Sequence, residues 1–383
     1  MSEYQYYEFR AIDRCLTSGE LKQLRALSSR AEITSTSFVN TYNFGDFRGN
    51  PQKLVEKYFD AFVYVSNWGT HELMFRLPRR FVDAGELSRF HTGGSCEVKA
   101  TEQYVVIGFR AEELESGEEQ GEGWLASLIP LRADLLNGDL RALYLAWLAD
   151  AQSEALGEDQ PEPTPPPGLR SLSGPLKNLA EFLGIDTDLL GAAAERSADL
   201  GPTAPSREQL SKWIAALPET EKNAVLLELA EGESAQLRME LMRRFRESQA
   251  QTALRAEAVA TPARTVGELL AAGEKLREQR ERLEAERRKT ERECEEREQA
   301  AARARYLDLL AKREPETWDR VASLVATKRP GDYDQAARFL KDLQELAERN
   351  RQAIEFQRRL AQLRERYSNR PAFLRRLDEA GLS

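Results

Sequence analysis

The sequence predicts an α+β N-terminal domain with a largely antiparallel sheet, followed by a predominantly helical C-terminal half that includes one long charged helix. Three observations predict it. Short β-branched and aromatic segments in the first 112 residues are mixed with helical ones without the regular alternation of a doubly wound fold. An acidic, proline-rich stretch at 158–168 (EDQPEPTPPPG) disfavours helix and central strand, and reads as a linker or exposed crossover. Residues 265–312 contain no proline, have glycine only at Gly267 and Gly273, and interleave Glu with Arg, as one long solvated helix does.

Taken in order, residues 4–12 (YQYYEFRAI) read as a strand. Thr17 with Glu20 reads as a capping box that opens a helix through Leu21, Leu24 and Leu27. Residues 32–42 (EITSTSFVNTY) read as a second strand, and Asn50-Pro51 supplies a cap and a first-turn residue for the next helix. Residues 62–66 and 72–77 form a hairpin across Asn67-Trp68-Gly69-Thr70, and 96–100 with 104–110 form another strand pair. On either side of Asn137-Gly138 the spacing is helical, with Asp139 placed to cap the second helix.

This gives a head domain at 1–157, the linker at 158–168, and a small helical domain at 169–251. Trp213, Ile214, Leu217, Val225, Leu226, Leu227 and Leu229 are expected as core of that small domain. The long helix follows at 265–312, and a C-terminal helical bundle at 313–383, where Trp318, Val321, Leu340, Leu343, Leu360 and Leu363 recur at helical spacing. Leu269, Leu276 and Leu283 recur every seven residues, but Gly273, Arg280 and Arg287 occupy the companion positions. Weak self-association through 265–312 is therefore expected, or else a single helix stabilised by Glu–Arg pairs.

Composition narrows the function classes. The chain has 383 residues, 41% hydrophobic and 31% charged, with a net charge of −9. From Arg303 onward there are 18 Lys/Arg against 13 Asp/Glu, so a mildly basic tail follows an acidic body, and broad nucleic-acid binding is disfavoured. Cys15, Cys96 and Cys294 lack CxxC spacing, which argues against a disulfide framework and for a reducing compartment. With no basic and apolar leader and no run of eighteen apolar residues, the expectation is a cytoplasmic protein without a membrane span.

No catalytic, cofactor or metal motif stands out, so the expected catalytic residues, cofactors and metals are none. His71, His91 and Cys96 hold the donor atoms of a metal site without its spacing. Gly93-Gly94-Ser95 is too short for a phosphate cradle and reads as a turn. The polar-aromatic run around Tyr42, Asp46 and Arg48, with Trp68 and His71, has the composition of a binding cleft and equally that of a packed seam. Arg358, Arg359, Arg375 and Arg376 give the last helices a basic face for nucleic acid, although interspersed carboxylates favour a solvated or protein-docking face.

The segments YQYYEFRAIDR, RAEITSTSFVNTYNFGDFRGNP and DLLNGDLRALYLAWL resemble a family of bacterial cytoplasmic proteins that carries no assigned activity. The tail at 318–382, with YDQAARFLKDL and RPAFLRRLDEAGL, resembles helical tails of bacterial proteins with SWIM-type zinc fingers, but the finger's CxC and CxH pairs are absent here. The resemblance implies bacterial origin and no catalytic residue or zinc. The expected function is a non-enzymatic interaction or adaptor subunit of a bacterial cytoplasmic assembly, with other proteins as partners. The alternatives are a nucleic-acid-linked accessory protein acting through the tail, and an enzyme of unknown reaction with its site in the N-terminal domain.

Overall fold

The computed structural model describes residues 4–45, 47–114, 121–200, 206–231, 237–238, 240–245, 248 and 263–382. Seven strands form one antiparallel sheet: β1 (Gln5–Arg10), β2 (Glu32–Ile33), β3 (Ser37–Tyr42), β4 (Ala61–Ser66), β5 (His71–Pro78), β6 (Cys96–Ala100) and β7 (Tyr104–Ala111). Their order across the sheet is β2-β3-β1-β4-β5-β7-β6. The segment read as one strand at 32–42 is broken at 34–36, where the Thr34 amide bonds the Ser37 carbonyl in a tight turn. The β4–β5 hairpin turns where expected. Gly69 sits at φ +83°, a conformation that glycine adopts without a Cβ penalty, and its amide bonds the Ser66 carbonyl.

Helix α1 (Ser18–Leu27) opens on the Thr17–Glu20 capping box, and α2 (Pro51–Lys57) on the Asn50 side chain. They cover one face of the sheet, where Phe9, Phe38, Phe59 and Phe62 are completely buried. Burial of each such ring contributes roughly 1.5–3 kcal/mol relative to exposure.

The short α3 (Ala84–Ser88), α4 (Trp124–Leu128), α5 (Pro130–Leu136), α6 (Arg141–Gln152), α7 (Gly174–Phe182) and α8 (Thr187–Glu195) share a core with the other face. Every residue of α6 from Arg141 to Ala151 is buried, as an all-round apolar helix requires. Asp139 accepts from the Arg141 amide and guanidinium, one residue outside the helix cap.

The chain divides into two compact units, Met1–Arg280 and Glu281–Ser383. The expected boundary at 158–168 lies inside the first unit, and α7 and α8 belong to the sheet's own core. The proline-rich segment is held by the strand-like run before the long helix. The Glu162 amide bonds the Arg264 carbonyl at 2.7 Å, and Val266 and Gly267 donate to the Gln160 and Glu158 carbonyls. Prolines removed donors from this segment, but the residues between them kept enough to pair.

Two further helices, α9 (Arg207–Ala216) and α10 (Glu219–Glu231), follow, and then the 47-residue α11 (Val266–Lys312). Every residue of α11 from 285 to 302 is exposed. Pairs at i,i+4 line it: Arg282–Glu286, Arg287–Glu291, Arg288–Glu284 and Lys289–Glu293. The second unit closes with α12 (Glu314–Ala326), α13 (Pro330–Arg349), α14 (Ala353–Arg366) and α15 (Pro371–Glu379) around Val321, Leu340, Leu360, Phe373 and Leu377.

Candidate functional site

Strand side chains alternate between faces, and that alternation divides the predicted ligand-binding residues. Asn40, Tyr7, Tyr64, Glu72 and Arg110 stand in register across β3, β1, β4, β5 and β7 on the α1–α2 face. Tyr42 joins them at the end of β3: its ring meets Tyr7 edge-on at 5.9 Å, and its hydroxyl accepts from Asn40 Nδ2 at 2.7 Å. Arg48 and Trp68 are exposed on the loops at this end of the sheet, together with Phe44. Asp46 lies outside the described residues.

His71 faces the opposite way. It is buried, stacked on Phe182 with centroids 4.7 Å apart, and its Nδ1 lies 2.9 Å from the Phe182 carbonyl. It therefore acts in core packing between β5 and α7. The neighbouring Glu72, which sequence reading passed over, is the residue presented to the α1–α2 side. Burial raises its carboxyl pKa, against the pull of Arg110 at 3.5 Å. The period-two pattern would have found it, because Leu73 and Phe75 are the apolar positions of β5 and Glu72 alternates with them.

The other candidate donors point to separate partners. His91 Nδ1 accepts from the Val98 amide at 3.1 Å. Cys96 is buried, and burial first, with nearby Asp150 and Glu97, pushes its thiol up to about 12, far from a reactive thiolate. The Gly93-Gly94-Ser95 turn does surround an anion, the chain's own Asp150. The Ser95 amide reaches Asp150 Oδ1 at 2.7 Å, Thr92 donates its hydroxyl, and a Cβ on Gly94 would collide with the carboxylate at 2.4 Å. Among the described residues, no group of three or more His, Cys, Asp and Glu could hold a metal ion.

Two buried ionic nodes hold the first unit. Asp60 accepts from the Ile12 and Asp13 amides and from Arg76, with Arg132 at 3.9 Å. Burial alone would raise its pKa, but those donors outweigh it and hold the carboxyl below its ordinary range. Glu162 receives both arms of Arg264, at 2.8 and 2.9 Å, and the Tyr144 hydroxyl.

The helical surfaces carry a different chemistry. Arg358 pairs with Glu355, Arg359 with Glu314 and Glu355, Arg375 with Glu379, and Arg376 with Asp334. Each arginine proposed for phosphate contact thus already has a carboxylate beside it. The leucine seam of the long helix is used within the chain. Leu269 is fully buried, Leu276 packs on the same core, and Gly273 lets the helix approach Leu189 so closely that a Cβ would sit 3.1 Å from its Cα. Of the three heptad leucines only Leu283 is exposed, which removes the basis for self-association through that seam.

By contrast, four of the seven residues expected as the small core of α9 and α10 are turned outward, while Trp213, Leu217 and Val225 are half-buried. Ile214 is 48% exposed, Leu226 61%, Leu227 62% and Leu229 51%, and α9 has no buried residue at all. Trp213 meets the Phe245 ring edge-on at 5.6 Å. No helix among the described residues is long and apolar enough to cross a membrane. Comparison with protein-family models, with curated proteins and with solved structures finds no match to this chain.

Proposed function

We propose that the chain is a non-enzymatic interaction protein, an adaptor or subunit of a bacterial cytoplasmic assembly that docks other proteins through α9 and α10. The observation that carries this reading is the exposure of Ile214, Leu226, Leu227 and Leu229 on two helices of 10 and 13 residues. Helices of that length are marginal in water by themselves and draw their stability from a covered apolar face. Leucines left uncovered on one helix are what a docking partner would cover. Glu219, Glu221 and Glu228 stand among these leucines in sequence and maintain solubility until a partner arrives.

The test is capture of the tagged full chain from its host at native level, with nuclease and moderate-salt washes, beside the triple substitution Leu226→Gln, Leu227→Gln, Leu229→Gln. Defined proteins in fixed ratio to the wild-type chain, and lost from the triple variant, support the reading. Identical captures by both chains, or a wild-type chain that emerges alone, would end it.

A further inference from the structure

We infer that the turn at 91–95 guards the outer edge of the sheet and that His91 makes the guard acid-sensitive: the neutral imidazole covers the Val98 amide, and the protonated one uncovers it. β6 is the last strand of the sheet and pairs with β7 along one side. A strand in that position turns alternate N–H and C=O groups outward, where another chain can pair with them.

Two of those outward groups in β6 already have partners. The Cys96 carbonyl accepts from the Thr92 and Gly93 amides at 3.2 and 3.3 Å, and the Val98 N–H donates to His91 Nδ1 at 3.1 Å. Since Cys96 and Val98 turn outward, alternation assigns Glu97 and Lys99 to the ladder with β7, opposite Gly108 and Val106. The other edge of the sheet, β2, is two residues long and offers little to pair with.

The two halves of the guard differ chemically. An amide bonded to a carbonyl does not titrate in this range, whereas an imidazole nitrogen accepts only while its lone pair is free. Accepting at Nδ1 places the neutral ring's proton on Nε2, and a second proton makes both nitrogens donors, so that Nδ1–H would face the Val98 N–H. Histidine is the side chain whose charge ordinarily changes between about pH 5 and pH 8, and His91 is exposed to the solvent that supplies the proton.

The turn does not depend on the imidazole for its place. Asp150 accepts from the Ser95 amide at 2.7 Å and from the Thr92 hydroxyl, and the His91 amide bonds the Ser88 carbonyl at 3.1 Å. The charged groups on the surrounding elements are Asp83, Glu86 and Arg89 on and beside α3, Asp150 on α6, and Glu97 with Lys99 on β6. Glu97 and Lys99 pair with each other at 2.8 Å, and Asp150 is engaged by the turn. Protonation therefore uncovers one edge amide and leaves the turn standing.

Exchange of the Val98 amide in the full chain, followed by NMR and normalised to the intrinsic rate at each pH, tests this. Protection of Val98 should fall roughly two- to tenfold on acidification from about pH 8 to pH 5, the loss of one neutral hydrogen bond, while the Glu97, Lys99 and Thr92 amides keep theirs. His91→Phe keeps a ring without an acceptor and should leave Val98 poorly protected at both pH values. His91→Asn supplies an amide oxygen that accepts in place of Nδ1 and does not titrate, and should keep Val98 protected at both. A wild-type Val98 amide equally protected at the two pH values would overturn the inference, as would a loss shared by Glu97, Lys99 and Thr92. So would a His91→Asn chain that retains the wild-type pH dependence.

Discussion

The Glu162–Arg264 pair decides whether residues 158–168 are a linker or a structural clamp. Their side chains are 2% and 6% exposed, and the contact is two-pronged. Arg264→Ala leaves the Glu162 carboxylate buried with the Tyr144 hydroxyl as its remaining side-chain donor. Removing one partner of such a pair costs about 3–5 kcal/mol. For a unit of this size, that lowers the melting temperature on the order of 10 °C.

Pairing Arg264→Met with Glu162→Gln removes both charges at nearly constant volume. It should restore much of the loss, leaving a coupling energy of about 1 kcal/mol or more in the double-mutant cycle. Calorimetric melting of the full chain measures both. If Arg264→Ala melts within a degree or two of wild type, the segment is a free linker, as its proline content predicts, and the clamp described above carries no stability.

Three further outcomes are expected. The Glu20 carboxyl is lowered from 4.5 to about 2 by the Arg14 guanidinium and the Thr17 amide. Its stabilisation is therefore present above pH 4.5 and lost as pH falls toward 2, and Glu20→Gln should flatten the acid limb of the stability–pH curve; an unchanged limb would count against the pairing. Glu72 is raised by burial, so its contribution is lost as pH rises. Glu72→Gln should then stabilise the chain at neutral pH and make no difference in acid, whereas destabilisation at pH 7 would contradict the burial argument. Thiol titration under native conditions should find Cys15 and Cys294 reactive and Cys96 protected until the fold opens, and rapid labelling of all three would show the β6 environment to be more open than described.

Local chemistry was legible without the fold. Thr17 with Glu20, Asn50 with Pro51, and the Gly69 turn follow from interactions within four residues, and the long helix follows from its own charge periodicity. The candidate site was less legible, because its residues belong to different faces. His71 and Glu72 are neighbours in sequence, yet one packs on Phe182 and the other turns to Arg110, an assignment set by strand parity and by which helices cover which face.

What the sequence by itself determined is the inventory of elements: an antiparallel-sheet N-terminal region, then helices, one of them long and charged. Each of those rests on short-range forces. What the tertiary structure alone decided is where apolar material finds a partner. Leu269 and Leu276 could equally face a second helix or their own core, and the close approach at Gly273 places them in the core. Leu226, Leu227 and Leu229 read as core by hydropathy and stand largely in solvent. Burial is a property of pairs of surfaces, and a one-dimensional pattern specifies only one member of each pair.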